Sequence, residues 1–164
     1  MLEEKFCMSG ELKEVINAVN MELKVKNMYC IGAFELCIEV NKSDIVKVMN
    51  ILKRWGFDHV VSITAVDYPP RNFVIIYTVA TYSNVKLMKY LVNVKTIIDR
   101  DSPRVLSIVN VYPNADYLER ECHEMFGIWF EGNPNMGRKF LLDPEYFKNK
   151  YPLRKDFKTS ELEV

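Results

Sequence analysis

The sequence predicts an α+β protein: a two-layer domain over residues 1–132, with helices packed on a mixed β-sheet, then an extended C-terminal tail over residues 133–164. Three observations predict it. The elements run helix, strand, strand, helix, three strands, helix, and clustered strands interrupted by helices are the α+β pattern. Residues 34–40 alternate strictly, Phe34, Leu36, Ile38 and Val40 against Glu35, Cys37 and Glu39, as a half-buried strand requires. Beyond Pro134 no period survives among many Pro, Asn and charged residues.

Ser9 is placed to cap the first helix, whose Leu12, Val15, Ile16 and Val19 recur at helical spacing. Leu23, Val25 and Met28-Tyr29 suggest a short strand, and Gly32 turns the chain into the strand over 34–40. Ser43 begins the second helix, with Ile45, Val48, Met49 and Leu52 inward and Gly56 past its end. Strand periodicity returns from Phe57 and stops at Pro69-Pro70. Phe73–Tyr82 is apolar on both faces and is expected centrally in the sheet, with Ser83-Asn84 turning it into a hairpin partner over 85–94. Residues 99–113 read as a loop, with a short strand at 105–111 as the alternative. Asn114 caps the last helix and Gly127 closes it.

Lys plus Arg number 22, as do Asp plus Glu, so no bulk field attracts nucleic acid or an anionic membrane. No run approaches the length of a spanning helix, and the acidic start Met1-Leu2-Glu3-Glu4 is unlike a signal peptide. The expectation is a cytoplasmic chain that meets a membrane only through partners.

The chemistry-bearing residues are sparse. Cys7, Cys30, Cys37 and Cys122 form no Cys-x-x-Cys pair, so free thiols are expected in place of a zinc or iron–sulfur site. Cys122 and His123 are consecutive and point about 100° apart on a helix, which separates a would-be nucleophile from its base. Asp67, Asp99 and Asp101 are isolated, and no glycine-rich phosphate loop is present. Catalytic, cofactor-binding and metal-binding residues are all expected to be absent.

One segment stands out. In the helix at 117–126, Leu118, Cys122, Met125 and Phe126 form an apolar stripe. Glu119 and Glu121 flank it, while Arg120 and Glu124 could pair on the far face. Read alone, this is an amphipathic helix with three solvated acids. It runs straight into Phe126, Ile128, Trp129 and Phe130, then into an aperiodic tail with Phe140, Leu141, Tyr146, Tyr151 and Phe157. So much aromatic surface outside regular elements points to a partner polypeptide.

These residues resemble the thirty-kilodalton (C-type) subunit family of respiratory complex I, the NADH:quinone oxidoreductase. The resemblance rests on Glu119-Arg120-Glu121, Glu124-Met125-Phe126-Gly127-Ile128, Phe130 and Gly132. Two further blocks agree, Ile63-Thr64-Ala65-Val66-Asp67-Tyr68-Pro69 and Tyr151-Pro152-Leu153-Arg154-Lys155-Asp156-Phe157. Asn133 stands where the family commonly has His, and Asp143 is inserted before Pro144.

The resemblance implies a scaffold subunit without a prosthetic group, in the peripheral arm of a membrane-bound, ion-translocating redox complex. It would pack on the hydrogenase-like large (D-type) subunit, next to the proximal iron–sulfur (B-type) subunit, on the cytoplasmic side. Iron–sulfur clusters, with nickel–iron, flavin or quinone according to the complex, would lie in those partners. The module is similar to subunits of energy-converting hydrogenases, sulfur-reducing complexes and F420H2 dehydrogenases. Partner contacts are expected at Glu119, Arg120, Glu121, Glu124, Phe126, Ile128, Trp129, Phe130, Arg138, Lys139, Arg154, Lys155 and Asp156. The scaffold reading expects a tail that is loose when the chain is alone. Two alternatives stay open: a free-standing adaptor or regulatory α+β domain that dimerises through its sheet, and a small cysteine enzyme using Cys122.

Overall fold

A computed structural model describes residues 10–162. The expected cap Ser9 and the thiol of Cys7 lie outside the described residues.

Helix α1 (Gly10–Glu22) buries Leu12, Val15 and Val19, the three positions that share one side of a 3.6-residue repeat. Strands β1 (Asn27–Ile31) and β2 (Glu35–Val40) form an antiparallel hairpin through Gly32, whose φ of +63° suits glycine. A 3₁₀ turn (Lys42–Asp44) leads into α2 (Ile45–Arg54), which buries Ile45, Val48, Met49, Ile51 and Leu52. Gly56, at φ +96°, follows the helix end where the sequence placed its stop.

Strands β3 (His59–Tyr68), β4 (Asn72–Ala80) and β5 (Leu91–Asp99) follow. The five-stranded sheet runs β1-β2-β5-β4-β3, with β2 parallel to β5 and the other pairs antiparallel. The mixed sheet was expected; this order was not stated by any local signal. Leu36, Ile38, Val92, Val94, Ile75, Tyr77, Ile63 and Ala65 point to one face and are buried with the helices. The opposite face carries Val66, Val74 and Ile97 in one row and Glu39, Lys95 and Ile76 in the next.

Two boundaries and one placement differ from the sequence reading. Strand β5 begins at Leu91, because Leu87 and Tyr90 are buried within turns and only imitate a strand pattern from residue 85. Strand β4 is flanked on both sides, but its burial alternates and β5 holds the centre. The stretch expected at 105–111 is a strand only at β6 (Arg104–Leu106). Ile108, Val111 and Tyr112 enter the core from turns, where the Tyr112 hydroxyl donates to the Phe57 carbonyl at 2.7 Å and Lys53 donates to the Val111 carbonyl.

Helix α3 (Ala115–Phe126) packs beside β3 and ends at Gly127, φ +75°, whose N–H donates to the His123 carbonyl at 2.7 Å. Asn114 occupies the capping position, but its amide group donates to the Val60 carbonyl at 2.8 Å and ties the helix start to β3. Strand β7 (Trp129–Glu131) then pairs parallel with β6. The Trp129-Phe130 stretch read as a packing segment is therefore part of a second, two-stranded sheet.

Candidate interaction surface

Helix α3 carries a buried polar face. Glu119 is 0% exposed: its carboxylate accepts from the Ser107 hydroxyl (2.7 Å), the Ile108 amide (2.8 Å) and the Asn133 side-chain amide (2.8 Å). Burial pushes this carboxyl up, and those three donors oppose the shift. The turn after β6 and the chain after β7 are thereby fastened to one helical residue.

Glu124 is 1% exposed and accepts three consecutive amides, Phe140 (2.8 Å), Leu141 (3.1 Å) and Leu142 (2.8 Å). Arg120, 8% exposed, donates through Nε and Nη2 to the Arg138 carbonyl (3.2 and 2.8 Å) and lies over the Phe140 ring, 4.4 Å from its centroid. The pair expected between Arg120 and Glu124 is replaced by two separate holds on the tail. Both side chains bind backbone that has no regular partner of its own, as buried polar groups require.

The second hold is at the far end of the tail. Arg154 Nε donates to the Phe126 carbonyl (2.6 Å) while its guanidinium lies over the Tyr151 and Phe73 rings, at 4.5 and 5.3 Å. The Leu153 amide donates to the Met125 carbonyl at 3.1 Å. Asp67, at the end of β3, accepts from Arg100 Nε (2.8 Å) and Nη2 (3.2 Å) and from the Lys155 amide (2.9 Å). Arg100 also meets Asp156 at 2.8 Å. A strap from Arg138 to Phe157 is thus hydrogen-bonded at both ends to its own domain.

The carboxylates at the second hold are sensitive to acid. Burial raises Asp67, but the Arg100 guanidinium and the Lys155 amide outweigh it and hold the carboxyl below 3.8; the Arg100 hydrogen bond lowers Asp156. A depressed folded-state value means that the stabilisation is complete above 3.8 and is lost as pH falls through the lower folded value. In an NMR titration, the Lys155 amide signal is expected to hold its position down to pH 3.8 and to move below it. Movement complete above about pH 5 would contradict the clasp.

The expected partner residues now divide. Glu119, Arg120, Glu124, Phe126, Ile128 and Phe130 are buried within this chain, which corrects their placement on a partner surface. Of the three acids expected in solvent, only Glu121 is there. Arg154 is half-buried and turned inward. Glu121, Trp129, Arg138, Lys139, Lys155 and Asp156 are exposed, and beside them stand Phe140, Leu141, Tyr146 and Leu153, each exposed by 42–55%. The sequence reading missed Asp67, Arg100, Ser107 and Asn133 as strap and loop anchors; the place of Asp67 in the block over residues 63–69 and the departure at Asn133 were their signals.

Among the described residues no group of three or more His, Cys, Asp or Glu is placed to hold a metal ion, and no helix is long and apolar enough to cross a membrane. Cys122 is buried and its thiol is pushed far up by burial, away from the reactive thiolate. His123 turns Nδ1 to the Ile128 carbonyl at 3.0 Å, not to that thiol.

Residues 38–163 match the family described as the respiratory-chain NADH dehydrogenase 30 kDa subunit. The chain belongs to that family. It is 33% identical over 152 residues to the C subunit of the F420H2 dehydrogenase of Methanosarcina mazei, covering 92% of this chain and 87% of the relative. It is also 33% identical over 159 residues to the C subunit of the NADH-quinone oxidoreductase of Ruegeria pomeroyi, covering 91% and 76%. Among solved structures it is similar to a chain of the membrane-bound sulfane sulfur reductase, an archaeal respiratory membrane complex, with a TM-score of 0.80, 27% identity, and 92% and 87% of the two chains covered. The trypsin-resistant fragment of Nqo5 shares the fold at a TM-score of 0.65, 22% identity, and 77% and 99% coverage. The relatives are subunits of complex I-like and related membrane complexes, which supports a subunit role in an assembly of that kind for this family member.

Proposed function

We propose that this chain is a non-catalytic scaffold of the peripheral arm of a complex I-like redox complex, and that its strap is the clamp. It packs on the hydrogenase-like large subunit, next to the proximal iron–sulfur subunit, at the cytoplasmic face of the membrane. Clusters and other redox groups belong to those partners, and the strap holds the large subunit in the arrangement that electron transfer needs.

One observation carries this reading. The strap is fixed by buried polar residues, yet its outer side is cationic and oily. Leaving aside the inward Arg154, residues 138–158 hold six Lys and Arg against three Asp and Glu, a net +3 in a chain of net charge 0. Arg138 and Lys139 follow Gly137, where an added Cβ would meet the Trp129 ring at 3.8 Å, and Phe140, Leu141 and Tyr146 come next. A preorganised segment loses little entropy on binding, which favours rigid rings as anchors and cations as the selecting rim.

The test reverses charge where the side chains are exposed and do not anchor the strap. R138E combined with K139E, in the full chain expressed with its native complex, is expected to lower recovery of the large subunit about tenfold, roughly 1.4 kcal/mol. The isolated variant should melt as the wild type does. Undiminished recovery would remove the clamp.

A further inference from the structure

We propose that the free edge of β3 receives an extended, lysine- or arginine-bearing strand from another polypeptide of the complex. This second docking site is separate from the strap's outer side. The inference rests on the subunit role but not on the clamp itself.

Strand β3 ends the sheet order and, among the described residues, has no partner on its outer side. Both ends of that edge are occupied. At one end Asn114 covers the Val60 carbonyl; at the other the strap crosses, with the Lys155 amide on Asp67. Between them, residues 61–66 span roughly 20 Å of extended backbone, the length of an ordinary strand.

Isolated edges are normally blunted by charge, proline or twist. Here a bulge falls between Val60 and Ser62, and from there to Val66 the edge has neither charge nor proline. Such an uncharged, β-prone edge invites pairing.

Beside the edge lies a groove of about 170 Å³ between β3 and α3. Leu118, Met125 and Leu153 give it an apolar lining, Ser62 and Thr64 line the strand side, and Glu121 is exposed on its rim. All three sequence blocks that carry the family resemblance meet in it. An added strand would place alternate side chains into the groove while its backbone bonded the edge. Among the described residues Glu121 is the one charged residue lining the groove, so the complementary strand carries a cation. A second copy of β3 does not fit, because residues 61–66 offer no cation.

The experiment uses the full chain, alone and in its affinity-purified native complex. Amides of residues 61–66 are followed by hydrogen exchange, and a photo-crosslinking residue replaces Thr64. Expected are exchange slowed at least about tenfold in the complex and crosslinks confined to one short, Lys- or Arg-containing segment of a single partner. E121K should reduce both without changing the melting temperature of the isolated chain. An intact complex with unchanged exchange and no crosslink overturns the edge site while leaving the clamp standing. Crosslinks between two copies of this chain, or protection indifferent to E121K, overturn it as well. If the wild-type chain recovers no complex at all, the subunit reading fails and this inference with it.

Discussion

Glu119→Ala is expected to destabilise the isolated chain by about 3 kcal/mol, a fall in Tm of roughly 6–12 °C for a domain of this size. The reason is the number of donors that lose their acceptor together. The Ser107 hydroxyl, the Ile108 amide and the Asn133 side chain all converge on this carboxylate, in a site without solvent access. Leaving buried donors unpaired costs more than the hydrogen bonds contribute net. Glu119→Gln keeps the volume but replaces one acceptor oxygen by an amide NH2 that faces donors, the Ile108 amide or the Asn133 amide beside the Ser107 hydroxyl, so roughly half the loss should remain. Calorimetry of the two variants checks this. A glutamine variant as stable as wild type would show that the carboxylate's acceptor count is not what holds the turn after β6 against α3.

Gly127→Ala has the second large effect, and it should act on the strap before it acts on the domain. At φ +75° a side chain costs about 1–2 kcal/mol on conformation alone. A Cβ here would also lie 2.6 Å from Arg154 Nη2 and 2.7 Å from Tyr151 Cζ. The guanidinium can swing away, but the ring is part of the stack that orients Arg154 toward the Phe126 carbonyl. Both must move, and with them the clasp around Asp67. Trypsin cleavage within residues 148–158 is therefore expected to accelerate at least about tenfold. Gly127→Asn separates the two causes: asparagine tolerates the backbone conformation yet still presents a Cβ. Equal acceleration in both variants identifies the steric clash, whereas wild-type cleavage in Gly127→Asn would assign the effect to conformation.

These two positions also show how far local patterns reach. Gly127 was legible as a helix end, and Asn114 as a helix start, because chain reversal has sequence signals that act over a few residues. The Asn114 side chain nevertheless went to Val60, some fifty residues away, which no cap pattern contains. Glu119 and Glu124 look solvated on a helical wheel, since a wheel places only neighbours at three and four residues. Their partners lie 11–18 residues along the chain, at Ser107, Ile108, Asn133 and Phe140–Leu142. A carboxylate is buried wherever enough donors converge, and convergence is a property of the folded chain. The same reason moved Phe126, Ile128 and Phe130 from the expected surface to the interior.

By itself the sequence determined the α+β class, the helices and most strands, because side-chain periods of 3.6 and 2 residues are set by backbone geometry. It also determined family membership, through three short blocks in order. Only the tertiary structure decided the strand order, with β5 inserted between β2 and β4, and the fastening of the tail. Both depend on groups far apart in sequence finding complementary charge, donors or apolar area at a shared place, and no local period encodes that encounter.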